Sequence, residues 1–131
     1  MYNIPILFII FRRKDTALKS FERIKQVKPN KLYIACDGAR ENVEGENILV
    51  EETRNAILQQ IDWQCEVKTL FRAKNLGCCM GVYTAINWFF KNEDKGIIIE
   101  DDCVLQSSFF PFAEELLHRY EHDERIAMID A

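Results

Sequence analysis

The chain has 131 residues, of which 48% are hydrophobic, 11% aromatic and 29% charged. That is one ordinary domain, and it excludes a disordered tail, a collagen-like repeat or a low-complexity linker. Seventeen Lys and Arg against 21 Asp and Glu leave a formal charge of −4, so there is no general electrostatic footprint for nucleic acid, and any anionic ligand must be held by local cations.

The first element is Ile4 to Phe11, a continuous apolar, β-branched and aromatic run that suits a strand buried on both faces. It is less than half of the about 20 residues a membrane-spanning helix needs. With no basic leader before it and no small-residue cleavage site after it, it is not expected to be a secretory signal. A helix is predicted next, capped by Asp15, because Ala17, Leu18, Phe21, Ile24 and Val27 recur at three-to-four-residue spacing. Pro29-Asn30 ends it. Lys31 to Cys36 reads as a second strand, with Asp37-Gly38 a turn at its carboxyl end.

The polar segment Ala39 to Asn47 is predicted to be a mobile loop. Ile48, Leu49, Ala56, Ile57 and Ile61 fit one face of a second helix, and Glu66 to Phe71 a third strand. Val82, Ala85, Ile86, Phe89 and Phe90 form the strongest helical stripe in the chain. Ile97 to Ile99 is a short buried strand ending in Glu100-Asp101-Asp102. Ser107 or Ser108 can cap a last helix with Phe112, Ala113, Leu116, Leu117 and Tyr120 inward, and Arg125 to Ile129 resembles a fifth strand. Strands alternating with helical crossovers predict a three-layer α/β/α sandwich with a mostly parallel, Rossmann-like sheet. Ligands of such sheets bind beyond the carboxyl ends of the strands.

Those ends carry Arg12-Arg13-Lys14, Asp37-Gly38, Arg72-Ala73-Lys74-Asn75 and Glu100-Asp101-Asp102. Cations from two of them and carboxylates from two others suit a phosphate ester with a metal ion. On an extended strand Glu100 and Asp102 face one way, roughly 7 Å apart, and Asp101 the other. Two charges at that distance repel by about 2.4 kcal/mol at an effective dielectric near 20, which a cation or hydrogen-bond donors would relieve. Carboxylates are hard ligands for Mg²⁺ or Mn²⁺. Taken alone, the triplet is also readable as a polar strand end exposed to water, with Asp102 or Asp101 starting a turn.

Asn75 to Gly81 (NLGCCMG) is neither a P-loop nor a dinucleotide fingerprint. Its glycines either allow close backbone approach to a ligand or serve turn and packing. His118 and His122 lack the Glu of H-E-x-x-H and read as a solvated helix face. Cys78-Cys79 reads as buried packing. The five cysteines, odd in number and without C-x-x-C spacing, are expected to be reduced thiols of a cytoplasmic protein.

The stretch Ile97 to Phe110 (IIIEDDCVLQSSFF) resembles the metal-binding region of GT-A glycosyltransferases, in the branch of N-acetylglucosaminyltransferase I and of bacterial sugar transferases labelled hemolysin-like. Ile4 to Arg13 and Tyr33 to Gly38 resemble the first two nucleotide-binding strands of that family. The resemblance implies that Asp102 is the direct Mn²⁺ (or Mg²⁺) ligand, that Glu100 and Asp101 contact the ribose and organise the metal's surroundings, and that Asp37 accepts a hydrogen bond from uracil. It further implies that Arg13 lines the nucleotide pocket, with Lys74 and Asn75 in the donor-binding segment. The implied reaction is transfer of a sugar, with N-acetylglucosamine the best guess, from a UDP-linked donor to a saccharide or other hydroxyl acceptor with inversion. The family's acceptor-binding half and general base would lie beyond Ala131, so the expectation is an N-terminal, donor-binding domain that does not turn over alone. Two other classes fit the strand ends less well. A non-catalytic α/β binding or signalling module would use the acidic strand end for a partner, but Arg12-Arg13 stands where a receiver domain needs acids. A dinucleotide oxidoreductase needs a glycine-rich turn where Phe11 to Lys14 stands.

Overall fold

The computed structural model describes residues 2–125 and 128. The strand predicted over Arg125 to Ile129 lies largely outside the described residues. The chain runs β1 (Ile6–Ile10), α1 (Lys14–Val27), β2 (Lys31–Cys36), α2 (Glu46–Gln59), β3 (Glu66–Phe71), α3 (Cys78–Asn92), β4 (Ile97–Glu100), α4 (Phe109–Tyr120). The four strands form one all-parallel sheet in the order β3-β2-β1-β4.

β1 is central, and its apolar run follows from burial on both sides. Ile6, Phe8 and Ile10 enter one core with Ala17, Phe21 and Ile24 of α1, Val50 and Ile57 of α2, and Phe110 of α4. Leu7 enters the other, with Tyr33, Ala35, and Ala85 and Phe89 of α3. These two cores make three layers. The chain steps outward from β1 to β3 and then returns past β1 to β4, so crossovers of one hand place α1 and α2 on one face and α3 on the other. The reversal sits between β1 and β4, where an α/β sheet opens a crevice. Register brings the carboxyl ends into line: Ile10 pairs with Cys36, Cys36 with Phe71, and Ile9 with Glu100.

Several local expectations are corrected. Asp15 does not cap α1: the helix starts at Lys14 after Arg13, and no side chain caps it. Asp15 lies in the first turn, where its charge meets the positive end of the helix dipole. Ser108 does occupy the cap position of α4 but makes no capping hydrogen bond. On α2, Ile48 and Leu49 are 59% and 41% exposed. The buried face is Glu46, Val50, Thr53, Arg54 and Ile57, a helical stripe that apolar counting misses because three of its members are polar. On α3, Phe90 is exposed. On α4, Phe112 is 52% exposed. Phe110 is the buried ring instead: it packs edge-on to Tyr2 at 5.6 Å, and the Tyr2 hydroxyl donates to its carbonyl at 2.7 Å. That burial pushes the Tyr2 phenol pKa up. No helix among the described residues is long and apolar enough to cross a membrane.

Candidate functional site

A cavity of about 700 Å³ opens at the carboxyl edge of the sheet. Its lining includes Arg12 and Arg13 after β1, Asp37 after β2, Arg40 in the following loop, Arg72 and Asn75 after β3, and Glu100, Asp101 and Asp102 at the end of β4. Of the residues singled out from sequence, the cavity gathers Arg13, Asp37, Asn75, Glu100, Asp101 and Asp102. Lys74 is exposed and is not part of the lining.

The acidic end of β4 is tighter than an extended strand. β4 stops at Glu100, and Asp101-Asp102 turn, with the Cys103 amide donating to the Glu100 carbonyl at 3.1 Å. One donor atom each from Glu100, Asp102 and Cys103 therefore lie within 4.8 Å of one another, closer than the roughly 7 Å of the extended form. Asp101 turns toward α1. Its carbonyl accepts from Ser20 Oγ at 2.7 Å and its Oδ1 accepts from Arg13 Nη2 at 3.3 Å. Burial pushes the Asp101 carboxyl pKa up, Arg13 opposes that, and the charge of Asp102 adds to it. Partial burial raises the Cys103 thiol as well.

Asp37 and Asn75 hold the loop before α3. Asp37 Oδ1 accepts the Gly38 and Leu76 amides, both at 2.9 Å, and Oδ2 lies 3.2 Å from the Leu76 amide. Asn75 Nδ2 donates to the Gly38 carbonyl at 2.7 Å, and its Oδ1 accepts the Gly77 amide at 3.0 Å. Gly77 opens α3 at φ +89, a conformation in which only glycine is unstrained. Gly81 lets α3 close on Asp37: a Cβ there would lie 3.1 Å from Asp37 Oδ2.

The segment Ala39 to Asn47, expected to be a mobile loop, is tied down at Arg40, and its last two residues already belong to α2. The fully buried Glu46 accepts from the Arg40 amide at 2.8 Å, from Arg40 Nε at 3.0 Å and from Arg40 Nη2 at 2.6 Å. Arg12 Nη1 adds an ion pair at 3.5 Å. The hydrogen bonds from Arg40, with the charges of Arg40 and Arg12, hold the Glu46 carboxyl down to about 2. Deeper in α2, Arg54 reaches the ends of β2 and β3. Arg40, Glu46 and Arg54 escaped the sequence reading; the only trace was polar residues spaced eight apart on one helical face. Cys78 and Cys79, expected to be buried, are exposed at the start of α3, and Cys78 lines the cavity. His118 and His122 are exposed on and just after α4.

Comparison with known proteins identifies no relative: no family model, curated protein or solved structure matches the chain.

Proposed function

We propose that the cavity binds a nucleoside diphosphate linked to a sugar, and that the chain is the donor-binding part of a metal-dependent glycosyltransferase. The observation that carries this reading is the meeting, in one cavity of nucleotide size, of the Arg12, Arg13, Arg40 and Arg72 side chains with the acidic turn Glu100 to Asp102.

The donor set at that turn fits a hard divalent ion, Mn²⁺ or Mg²⁺. Such ions take one or two protein carboxylates together with substrate phosphates. Asp102 and Glu100 would supply the carboxylates. A hard ion prefers these carboxylates to the neighbouring Cys103 sulfur. When bound, the ion would stabilise negative charge on the departing diphosphate. Arg40 uses its Nε and Nη2 on Glu46, Arg12 pairs with the same carboxylate and Arg13 with Asp101, so Arg72, which has no ion-pair partner among the described residues, would offer paired N–H donors to phosphate oxygens. Asp37 Oδ2 retains acceptor capacity for an N–H on the base. Arg13 pairs with Asp101 and offsets part of the repulsion between Asp101 and Asp102. The same reading places the protein in the cytosol, in keeping with five unpaired thiols.

Thermal unfolding with UDP and with UDP-N-acetylglucosamine, each with and without Mn²⁺, tests the proposal. Ligand at about 100 times its Kd adds about 2.7 kcal/mol of stability. A metal-dependent shift that disappears in Asp102→Ala supports the reading. No shift with any nucleotide contradicts it and favours a partner-binding module.

A further inference from the structure

We propose that Arg54 is a positioning residue for the cavity: its buried guanidinium ties the carboxyl ends of β2 and β3 together and so fixes how Asp37 and Arg72 present their side chains. This rests on the cavity being a nucleotide diphosphate site.

Arg54 lies on the sheet-facing side of α2 and is only 9% exposed. Nη2 donates to the Arg72 carbonyl at 2.8 Å and to the Asp37 carbonyl at 3.0 Å, and lies 3.4 Å from the Cys36 carbonyl. The guanidinium carbon stands 4.9 Å over the Phe71 ring. One cation therefore touches three carbonyls and one ring, all at the place where two strands leave the sheet. The Arg72 amide still bonds to the Cys36 carbonyl at 3.0 Å, so Asp37 and Arg72 are the first residues past the ladder. Beyond it their peptide planes have no strand partner to orient them, and Arg54 takes that role.

This arrangement is poor value as a stabiliser. Arg54 Nε is buried with no partner among the described residues, and the ion pair to Glu51, at 3.4 Å, uses a carboxylate that is largely in water. Apolar side chains often serve stability as well as buried charges do. What an apolar side chain cannot do is donate to two separate carbonyls at once, as Arg54 Nη2 does. Rotation of the Asp37 peptide would move its carboxylate, and with it the Leu76 amide and the loop that Asn75 and Gly77 complete. Rotation at Arg72 would move a cation of the cavity wall. Small displacements of groups that hold a ligand carry large effects on binding.

The experiment compares Arg54→Met and Arg54→Lys with the wild type, measuring UDP affinity in the presence of Mn²⁺ and, separately, the affinity for Mn²⁺ alone by paramagnetic resonance. UDP affinity should fall about tenfold or more in Arg54→Met, with Mn²⁺ affinity changed by less than about twofold, because Glu100 ends β4 and Asp102 lies in the turn after it, apart from the ends of β2 and β3 that Arg54 holds. Arg54→Lys should lie between, since its ammonium can donate to carbonyls but sits on a shorter side chain and lacks the planar group that stands over Phe71. Wild-type UDP affinity in folded Arg54→Met would overturn the assignment, as would a parallel loss of UDP and Mn²⁺ binding, the mark of general damage. If Arg54→Met does not fold, Arg54→Lys carries the comparison, and unchanged amide chemical shifts at Asp37 and Arg72 in it would also overturn the assignment. Absence of UDP binding in the wild type would instead remove the cavity reading on which it rests.

Discussion

Replacing Gly38 by alanine tests how tightly the cavity floor is built. A Cβ on Gly38 would stand 2.5 Å from the Lys74 carbonyl carbon and 2.8 Å from both Ala73 C and Lys74 N, all backbone atoms. Carbon atoms settle at about 3.5 Å or beyond, so the two chains must part by about 1 Å. That separation would stretch the Asn75 to Gly38 hydrogen bond, now 2.7 Å, to about 3.7 Å, where it no longer counts as one. Overpacking costs about 1–3 kcal/mol and the lost hydrogen bond about 1 kcal/mol. The expected total is about 2–4 kcal/mol, a large part of a domain's stability. Urea unfolding should show the midpoint falling by about 1–2 M with an unchanged slope. Gly45→Ala is the control: its φ is +80 and a Cβ would meet nothing within 4 Å, so it should lose only about 1 kcal/mol to left-handed strain. Equal losses in the two variants would refute the steric account of Gly38.

Two further predictions concern pH, and their signs are opposite. Glu46 has its folded pKa lowered from 4.5 to about 2, so its contribution to stability is present above 4.5 and is lost as pH falls toward about 2. Glu46→Gln should therefore be least stable relative to wild type near neutrality, with the two converging in acid; a constant gap in urea midpoints from neutral pH to pH 2 would contradict this. Asp101 has its folded pKa raised above 3.8, chiefly by burial, so its contribution is present below 3.8 and is lost as pH rises through the folded value. Asp101→Asn should gain on wild type as pH rises from below 3.8 toward 7. A relative loss over that range would mean that the Arg13 pair outweighs the desolvation of Asp101.

The alternation of strands and helices was legible because each strand run is apolar and short and each helix follows a polar break. Ile4 to Phe11 announced a strand covered on both sides, and Lys28 in a left-handed conformation before Pro29 ends α1 where the sequence indicated a stop. The strand-end residues were legible as well, since a parallel sheet delivers every carboxyl end to one edge. The buried face of α2 was not. Its membership depends on Glu46 finding Arg40 and Arg12, and on Arg54 finding three carbonyls, partners that only the fold brings near. Phe110 and Phe112 are both aromatic and only two apart, so composition could not say which meets Tyr2. The exposed Cys78-Cys79 follows from where α3 begins: its first turn borders the cavity, and the buried residues of the helix are Ala85 and Phe89. The turn at Asp101-Asp102, which brings the Asp102 donor close to that of Glu100, departs from strand alternation and follows the other reading of the triplet, a polar strand end at which a turn starts.

The most direct measurement is a calorimetric titration of UDP into the wild type and into Asp102→Ala, each with and without Mn²⁺. A shared site for the diphosphate and the ion makes each tighten the other by the same factor. UDP should bind the wild type more tightly with Mn²⁺ than without it, and that difference should vanish in Asp102→Ala. Equal UDP affinity with and without Mn²⁺ in the wild type, or a metal effect that survives loss of the Asp102 carboxylate, would contradict the account.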